Sequence, residues 1–156
     1  MIDKKPRVSI GMPVFNGENY LEEALDSILA QTYKDFELII SDNGSTDRTR
    51  EICAARAAGD ERIRYHRNRK NLGAAKNFNQ VFRMSTGDYF KWASHDDVCA
   101  PDYLERCVNV LDSHPSVVVC YGQTTVIDEQ GTRIRIFDDR LDLSAERPHE
   151  RLKRFH

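Results

Sequence analysis

The sequence predicts an α/β fold, a mostly parallel sheet flanked by helices. Short apolar runs with strand character alternate with segments whose apolar residues recur at helical spacing. Several of those strand-like runs end in clusters of Asn, Asp, Gly and Ser. The chain has 156 residues, of which 40% are hydrophobic and 31% charged, which suits a single domain with a real core.

Val8 to Val14 reads as a first strand, ended by the Asn16-Gly17 turn. Tyr20, Leu21, Ala24, Leu25, Ile28 and Leu29 then follow a helical period with Glu22 and Glu23 on the outer face. Phe36 to Ser41 is a short buried strand, after which Ser45, Thr46 or Asp47 can cap a helix that turns Ile52, Cys53 and Ala57 inward. Ile63 and Tyr65 mark a third strand, and Ala74, Ala75, Phe78, Val81 and Phe82 form another helical stripe. Asp88 to Trp92 is a fourth strand, and Pro101 opens a helix with Leu104, Cys107, Val108 and Leu111 on one face. Val117 to Gly122 is expected as a fifth strand, and Thr124 to Ile136 as a hairpin turning at Asp128-Glu129-Gln130-Gly131.

Composition narrows the function classes. The apolar runs are far too short to span a bilayer. The opening MIDKKPRVSIGMPVF passes directly into strand-like alternation with no apolar signal core, so the expected compartment is the cytoplasm. Cys53, Cys99, Cys107 and Cys120 lack paired metal-ligand spacing and read as reduced core thiols. The net charge of −2 argues against a general polyanion binder. The run RIRYHRNRK at 62–70 is the local exception; it reads as a solvated strand face and polar loop, with a phosphate-binding patch as the alternative.

Parallel strands share one carboxyl edge, where open α/β sheets bind ligands. Three polar clusters fall there: PVFNGEN, SDNGSTD and ASHDD. Asp96 and Asp97 in the last would repel by roughly 3 kcal/mol at about 5 Å and an effective dielectric near 20. A half-buried pair of this kind wants a cation, and hard divalent ions such as Mg²⁺ or Mn²⁺ take carboxylates together with substrate phosphates. His95 reads as a hydrogen-bonding neighbour. Asp42 and Asn43 offer the acceptors and donor that read a nucleobase edge or a ribose hydroxyl, or else form a capped turn. Lys76, near the start of its helix and close to Asn71 and Gly73, can meet a diphosphate.

The string VSIGMPVFNGENYLEEALDSILAQTYKDFELIISDNGSTDRT, followed by NLGAAKNFNQ, TGDYFKWASHDD and VCAPDYLE, resembles family 2 inverting glycosyltransferases over roughly residues 7 to 122. The resemblance implies a Rossmann-like GT-A fold, incomplete at its C-terminus, and transfer of a sugar from a nucleotide-diphospho-sugar to an acceptor hydroxyl with inversion. By matching position, Pro13, Phe15 and Asn16 would pack on the base, and Asp42 and Asn43 would hold base and ribose. Lys76, followed by Asn77, would neutralise phosphate, Asp96 would lie near ribose or metal, and Asp97 would be a metal ligand. Two departures stand out: Asn43 replaces a frequent second Asp, and Ser94 replaces the leading Asp of an Asp-x-Asp-Asp segment.

The implied partners are a UDP, GDP or dTDP sugar, Mg²⁺ or Mn²⁺, and a glycan or lipid-linked acceptor, with no nucleic acid. The implied setting is cell-envelope glycan synthesis at the inner face of a membrane. The catalytic base is expected beyond this chain, with Asp138 and Asp139 as weak candidates. Ala145 to His156, with Leu152 and Phe155, reads as a helix cut before its partner, and the exposed apolar surface so left predicts self-association. Two alternatives are a nucleotidyltransferase, against which the lack of Lys or Arg in PVFNGEN argues, and a non-catalytic nucleotide-binding module.

Overall fold

A computed structural model describes residues 5–137; Asp138, Asp139 and the stretch Ala145 to His156 lie outside the described residues. The elements run β1 (Val8–Val14), α1 (Leu21–Leu29), β2 (Phe36–Asp42), α2 (Thr49–Gly59), β3 (Ile63–Arg67), α3 (Ala74–Met84), β4 (Tyr89–Trp92), α4 (Tyr103–Ser113), β5 (Thr124–Ile127) and β6 (Arg133–Phe137). They fall into two compact units that divide between Asn109 and Val110.

In the first unit β3, β2, β1 and β4 form, in that order, a wholly parallel sheet. Every residue of β1 and β2 is buried, as expected of central strands covered on both faces. Leu21, Ala24, Leu25 and Ile28 of α1 and Ile52 and Cys53 of α2 join Ile10, Met12, Leu38 and Ile40 in the core. Register aligns Val14 with Asp42 and Asp42 with Arg67, so the chain leaves three strands along one row. The backbone N–H of Asn43 donates to Val14 O, and that of Asn68 to Asp42 O, both at 2.8 Å, which carries the pairing one residue beyond the strands.

The edge strand β4 is set by a buried polar staple. Glu37 accepts from Ser9 Oγ at 2.6 Å and from the Thr86 backbone N–H at 2.9 Å, while Ser9 Oγ accepts from the Gly87 N–H at 2.7 Å. Gly87 approaches β1 so closely that a Cβ would lie 2.6 Å from the Ser9 nitrogen, which only glycine tolerates.

Two expectations need correction. Val117 to Gly122 is not a strand: these residues have no regular structure, and Val118 and Val119 are 89% and 66% exposed. A β-branched run supplies propensity, but a strand also needs a neighbour's free edge. In α3 the expected inward stripe is mostly outward: Phe78 and Phe82 are exposed, and the buried residues are Val81 and the polar Asn77. The second unit contains the hairpin as expected, β5 against β6 antiparallel, with Asp128 Oδ1 accepting the Gln130 and Thr132 N–H groups in the turn.

Cys53, Cys99, Cys107 and Cys120 are thiols, but of the four expected in the core only Cys53 is buried; the other three are half-buried. No helix among the described residues is long and apolar enough to cross a membrane.

Candidate functional site

At the carboxyl edge the turns after β1 and β2 are stitched together. Asn16, in the left-handed region at φ 52°, accepts the Thr46 N–H at 2.9 Å, and its own N–H donates to Ser45 Oγ at 3.0 Å. The Gly17 N–H donates to Thr49 Oγ1 at 2.9 Å, and that of Glu18 to Asp47 Oδ2 at 3.1 Å. Asp47 also accepts the Thr49 N–H at 3.0 Å, an Asx-turn contact just before α2; the N-cap position itself is Arg48, without a side-chain cap bond, so the cap expected of Ser45, Thr46 or Asp47 is not made. Desolvation raises the Asp47 pKa, but its hydrogen bonds from Thr49 and Glu18 outweigh this and leave it below the ordinary carboxylate value.

Asp42 points inward and is fully buried. Its Oδ1 accepts the Ser45 N–H at 2.8 Å, and its Oδ2 accepts from Tyr65 Oη at 2.9 Å and Arg67 Nε at 3.0 Å. Burial, then the hydrogen bond to Asp42, pushes the Tyr65 phenol well above its ordinary pKa, so Tyr65 stays a donor. Arg67 Nη2 also donates to Ser45 O, tying the end of β3 to the turn after β2. Two other members of the basic run are paired as well, Arg62 with Asp60 and Arg64 with Glu37, so three of its cations serve the sheet.

Asn43 is 2% exposed and is the hub of an amide network. Its Oδ1 accepts from Asn68 Nδ2 at 3.2 Å and from the Leu72 N–H at 2.9 Å, while its Nδ2 donates to Asn71 Oδ1 at 2.8 Å. Asn71 Oδ1 in turn accepts the Gly73 N–H, and Asn77 Nδ2 donates to Ser41 O, each at 2.8 Å. The segment between β3 and α3 is thereby locked against β2. Gly44 belongs to the same lock: at φ 76° its missing Cβ would sit 2.9 Å from the Lys70 carbonyl carbon.

These turns surround a cavity of about 520 Å³, within the range of small-ligand sites. Pro13, Phe15, Asn43, Asn71, Asn77, Phe78, Trp92, Ser94 and His95 contribute to its wall. Of the residues expected at the site, Pro13, Phe15 and Asn43 line this cavity. Asp42 and Asn16 support the wall from outside it, and Lys76, Asp96 and Asp97 are exposed on nearby segments. Ser94 Oγ donates to Asp96 Oδ1.

Among the described residues, no group of three or more His, Cys, Asp or Glu is placed to hold a metal. Asp96 and Asp97 are adjacent but both exposed, not half-buried as expected, so water screens their repulsion and it does not by itself demand a cation; their oxygens are only of the type a hard cation takes. The sequence reading passed over Asn68, Tyr65 and Arg67 as site-forming residues and took Trp92 as strand alone. The Asn-rich segment NRKNLGAAKN was the one available signal, since side-chain amides at that density fix turns.

The same fold occurs in solved glycosyltransferases. S. aureus TarS 1–349, described in complex with UDP-GlcNAc, superposes with a TM-score of 0.65 at 24% identity, over 70% of this chain and 32% of that one. The mannosyltransferase PcManGT from Pyrobaculum calidifontis, described in complex with GDP-Man and Mn²⁺, gives 0.66 at 26% identity over 81% and 37%. The fold is the GT-A fold.

Within that class, residues 9–154 match the family model Glycosyl transferase family 2, and the chain belongs to that family. A Rickettsia felis protein named an uncharacterized glycosyltransferase is 38% identical over 131 residues, 83% of this chain and 21% of its own length. The putative glycosyltransferase EpsE of Bacillus subtilis is 38% identical over 129 residues, 82% of this chain and 46% of its own. The chain thus spans well under two thirds of these relatives.

Proposed function

We propose that this chain is the donor-binding part of a glycosyltransferase that moves a sugar from a nucleotide diphosphate to an acceptor hydroxyl with inversion. The observation that carries this is a shared cavity into which the turns after β1 and β2, the segment before α3 and the end of β4 all open. Family membership and the printed UDP-GlcNAc and GDP-Man complexes of the structural neighbours support a nucleotide-sugar donor.

In this reading Pro13 and Phe15 pack on the base. Asn43 shapes the base-side floor, and Asp42 and Asn16 hold that floor rigid through the bonds given above. Asp96 and Asp97 hold Mg²⁺ or Mn²⁺; when bound, such a cation offsets the charge that builds on a departing diphosphate. Lys76 adds positive charge at the start of α3. The acceptor hydroxyl attacks the anomeric carbon opposite the diphosphate, the carbon–oxygen bond to the diphosphate breaks, and a carboxylate outside the described residues takes the hydroxyl proton. The reading places the whole protein in polysaccharide or cell-envelope glycan synthesis, acting from the cytoplasmic side on a glycan or lipid-linked acceptor.

Thermal melting tests the donor site. A nucleoside diphosphate at about 100 times its dissociation constant stabilises the fold by about 2.7 kcal/mol. UDP, GDP or dTDP is therefore expected to raise the melting temperature by several degrees in the presence of Mn²⁺. No shift with any of them would contradict the reading.

A further inference from the structure

The cavity wall is chemically lopsided. On the β2 side it is amide: Asn43, Asn71 and Asn77. On the β4 side it is aromatic: Phe78 and Trp92, with Ser94 and His95 beyond them. The strand order β2-β1-β4 separates the two sides by two strand spacings, about 10 Å.

Trp92 ends β4, yet half of it is exposed. It is also held firmly. Its ring meets Phe90 edge to face at 4.9 Å between centroids, and leans on Phe82 at 6.1 Å. Phe82 and Phe90 are themselves edge to face at 5.1 Å. The indole N–H is turned towards Phe78 O at 3.5 Å, which brings the polar edge of the ring to α3. An exposed aromatic braced by two other rings and a backbone carbonyl loses little freedom when something stacks on it.

We propose that Trp92, backed by Phe78, is the platform for the sugar ring of the donor and a determinant of donor specificity. This rests on the donor-site reading above. The argument is positional and chemical. Asn71, the exposed amide of the β2 side, can meet the hydrogen-bonding edge of a base, while Asn43 and Asn77 are buried and hold the wall behind it. Asp96 and Asp97, suited to the diphosphate and its cation, follow Trp92 by four and five residues in the chain. The group joined to the far side of the diphosphate therefore falls at the aromatic end. A pyranose presents there a face of C–H bonds polarised by their neighbouring oxygens, which a π face attracts. Ser94 and His95, on the same wall, can bond the ring's hydroxyl rim.

The test separates sugar from nucleotide. Calorimetric titrations with Mn²⁺ compare UDP with UDP-N-acetylglucosamine, and GDP with GDP-mannose, on the native chain, Trp92→Leu and Trp92→Phe. Nucleotide-diphosphate affinity also reports whether each variant is folded. The sugar-bearing ligand is expected to weaken about 5- to 10-fold in Trp92→Leu and to recover largely in Trp92→Phe, with UDP and GDP affinities changed less than about twofold. Equal weakening of both ligand types, or no weakening of either, would overturn the proposal while leaving the donor site standing. Absence of UDP and GDP binding to the native chain would overturn both.

Discussion

Replacing Glu37 should loosen the strand that carries the β4 side of the site. Its carboxylate joins β2 to the Thr86–Gly87 turn and bonds Arg64 at 2.6 Å. In Glu37→Ala the buried Ser9 hydroxyl loses its acceptor, while the partly exposed Arg64 and Thr86 groups regain water. One orphaned buried donor costs about 1–3 kcal/mol. Breaking the half-screened ion pair adds less than the full buried-pair loss, so a total of about 2–4 kcal/mol is expected, against a typical domain stability of about 5–15 kcal/mol.

That corresponds to a fall in melting temperature of about 10 °C. The effect depends on pH. Burial alone would raise the Glu37 pKa, but hydrogen bonds from Ser9, Arg64 and Thr86 outweigh it and hold the group below its ordinary value of 4.5. The carboxylate's contribution is then complete above that value and is lost as pH falls through the folded-state pKa. Glu37→Gln should therefore be less stable than the native chain at neutral pH and converge with it in acid. Thermal melts followed by circular dichroism from about pH 7 to about pH 3 measure this. A Glu37→Ala variant within about 1 kcal/mol of the native chain, or a gap to Glu37→Gln that does not close in acid, would refute the reasoning.

Other predictions concern the site and its lock. Phe15→Ala should weaken nucleotide binding by about 1–3 kcal/mol, the value of a base–aromatic stack, without lowering the melting temperature of the free chain; calorimetry and melting together decide it. Gly44→Ala, which forces a Cβ onto the Lys70 backbone at a positive φ, should cost about 1–3 kcal/mol in denaturant unfolding. Cys53 is buried, and that burial, with the nearby charges of Asp42 and Asp47, pushes its thiol to about 12. Iodoacetamide at mildly alkaline pH should leave Cys53 unmodified until denaturant is added, as mass spectrometry of peptides would show.

Much of the fold was legible because burial on both faces leaves a plain mark. β1 and β2 are continuous apolar runs, and α1 keeps its period from Leu21 to Ile28. Val117 to Gly122 carries the same mark and is exposed, since composition records what a segment could bury and not whether a partner edge exists. The stripe of α3 failed differently: its period located a face, but aromatics on that face line a cavity or stand in solvent, and the buried polar place went to Asn77. At the site, the gathering of polar turns on one edge followed from parallel strands alone. The inward turn of Asp42 did not, because a carboxylate reads the same whether its partner is a ligand or Tyr65 and Arg67, which lie 23 and 25 residues away.

The central claim is that the carboxyl edge of this sheet binds a nucleotide diphosphate with the help of a divalent cation. Calorimetric titration of the chain with UDP, GDP and dTDP, each with and without Mn²⁺ and repeated on Asp97→Ala, tests it most directly. The predicted result is micromolar binding of at least one nucleotide that requires both Mn²⁺ and Asp97. Binding that is indifferent to both, or no binding at all, would contradict it.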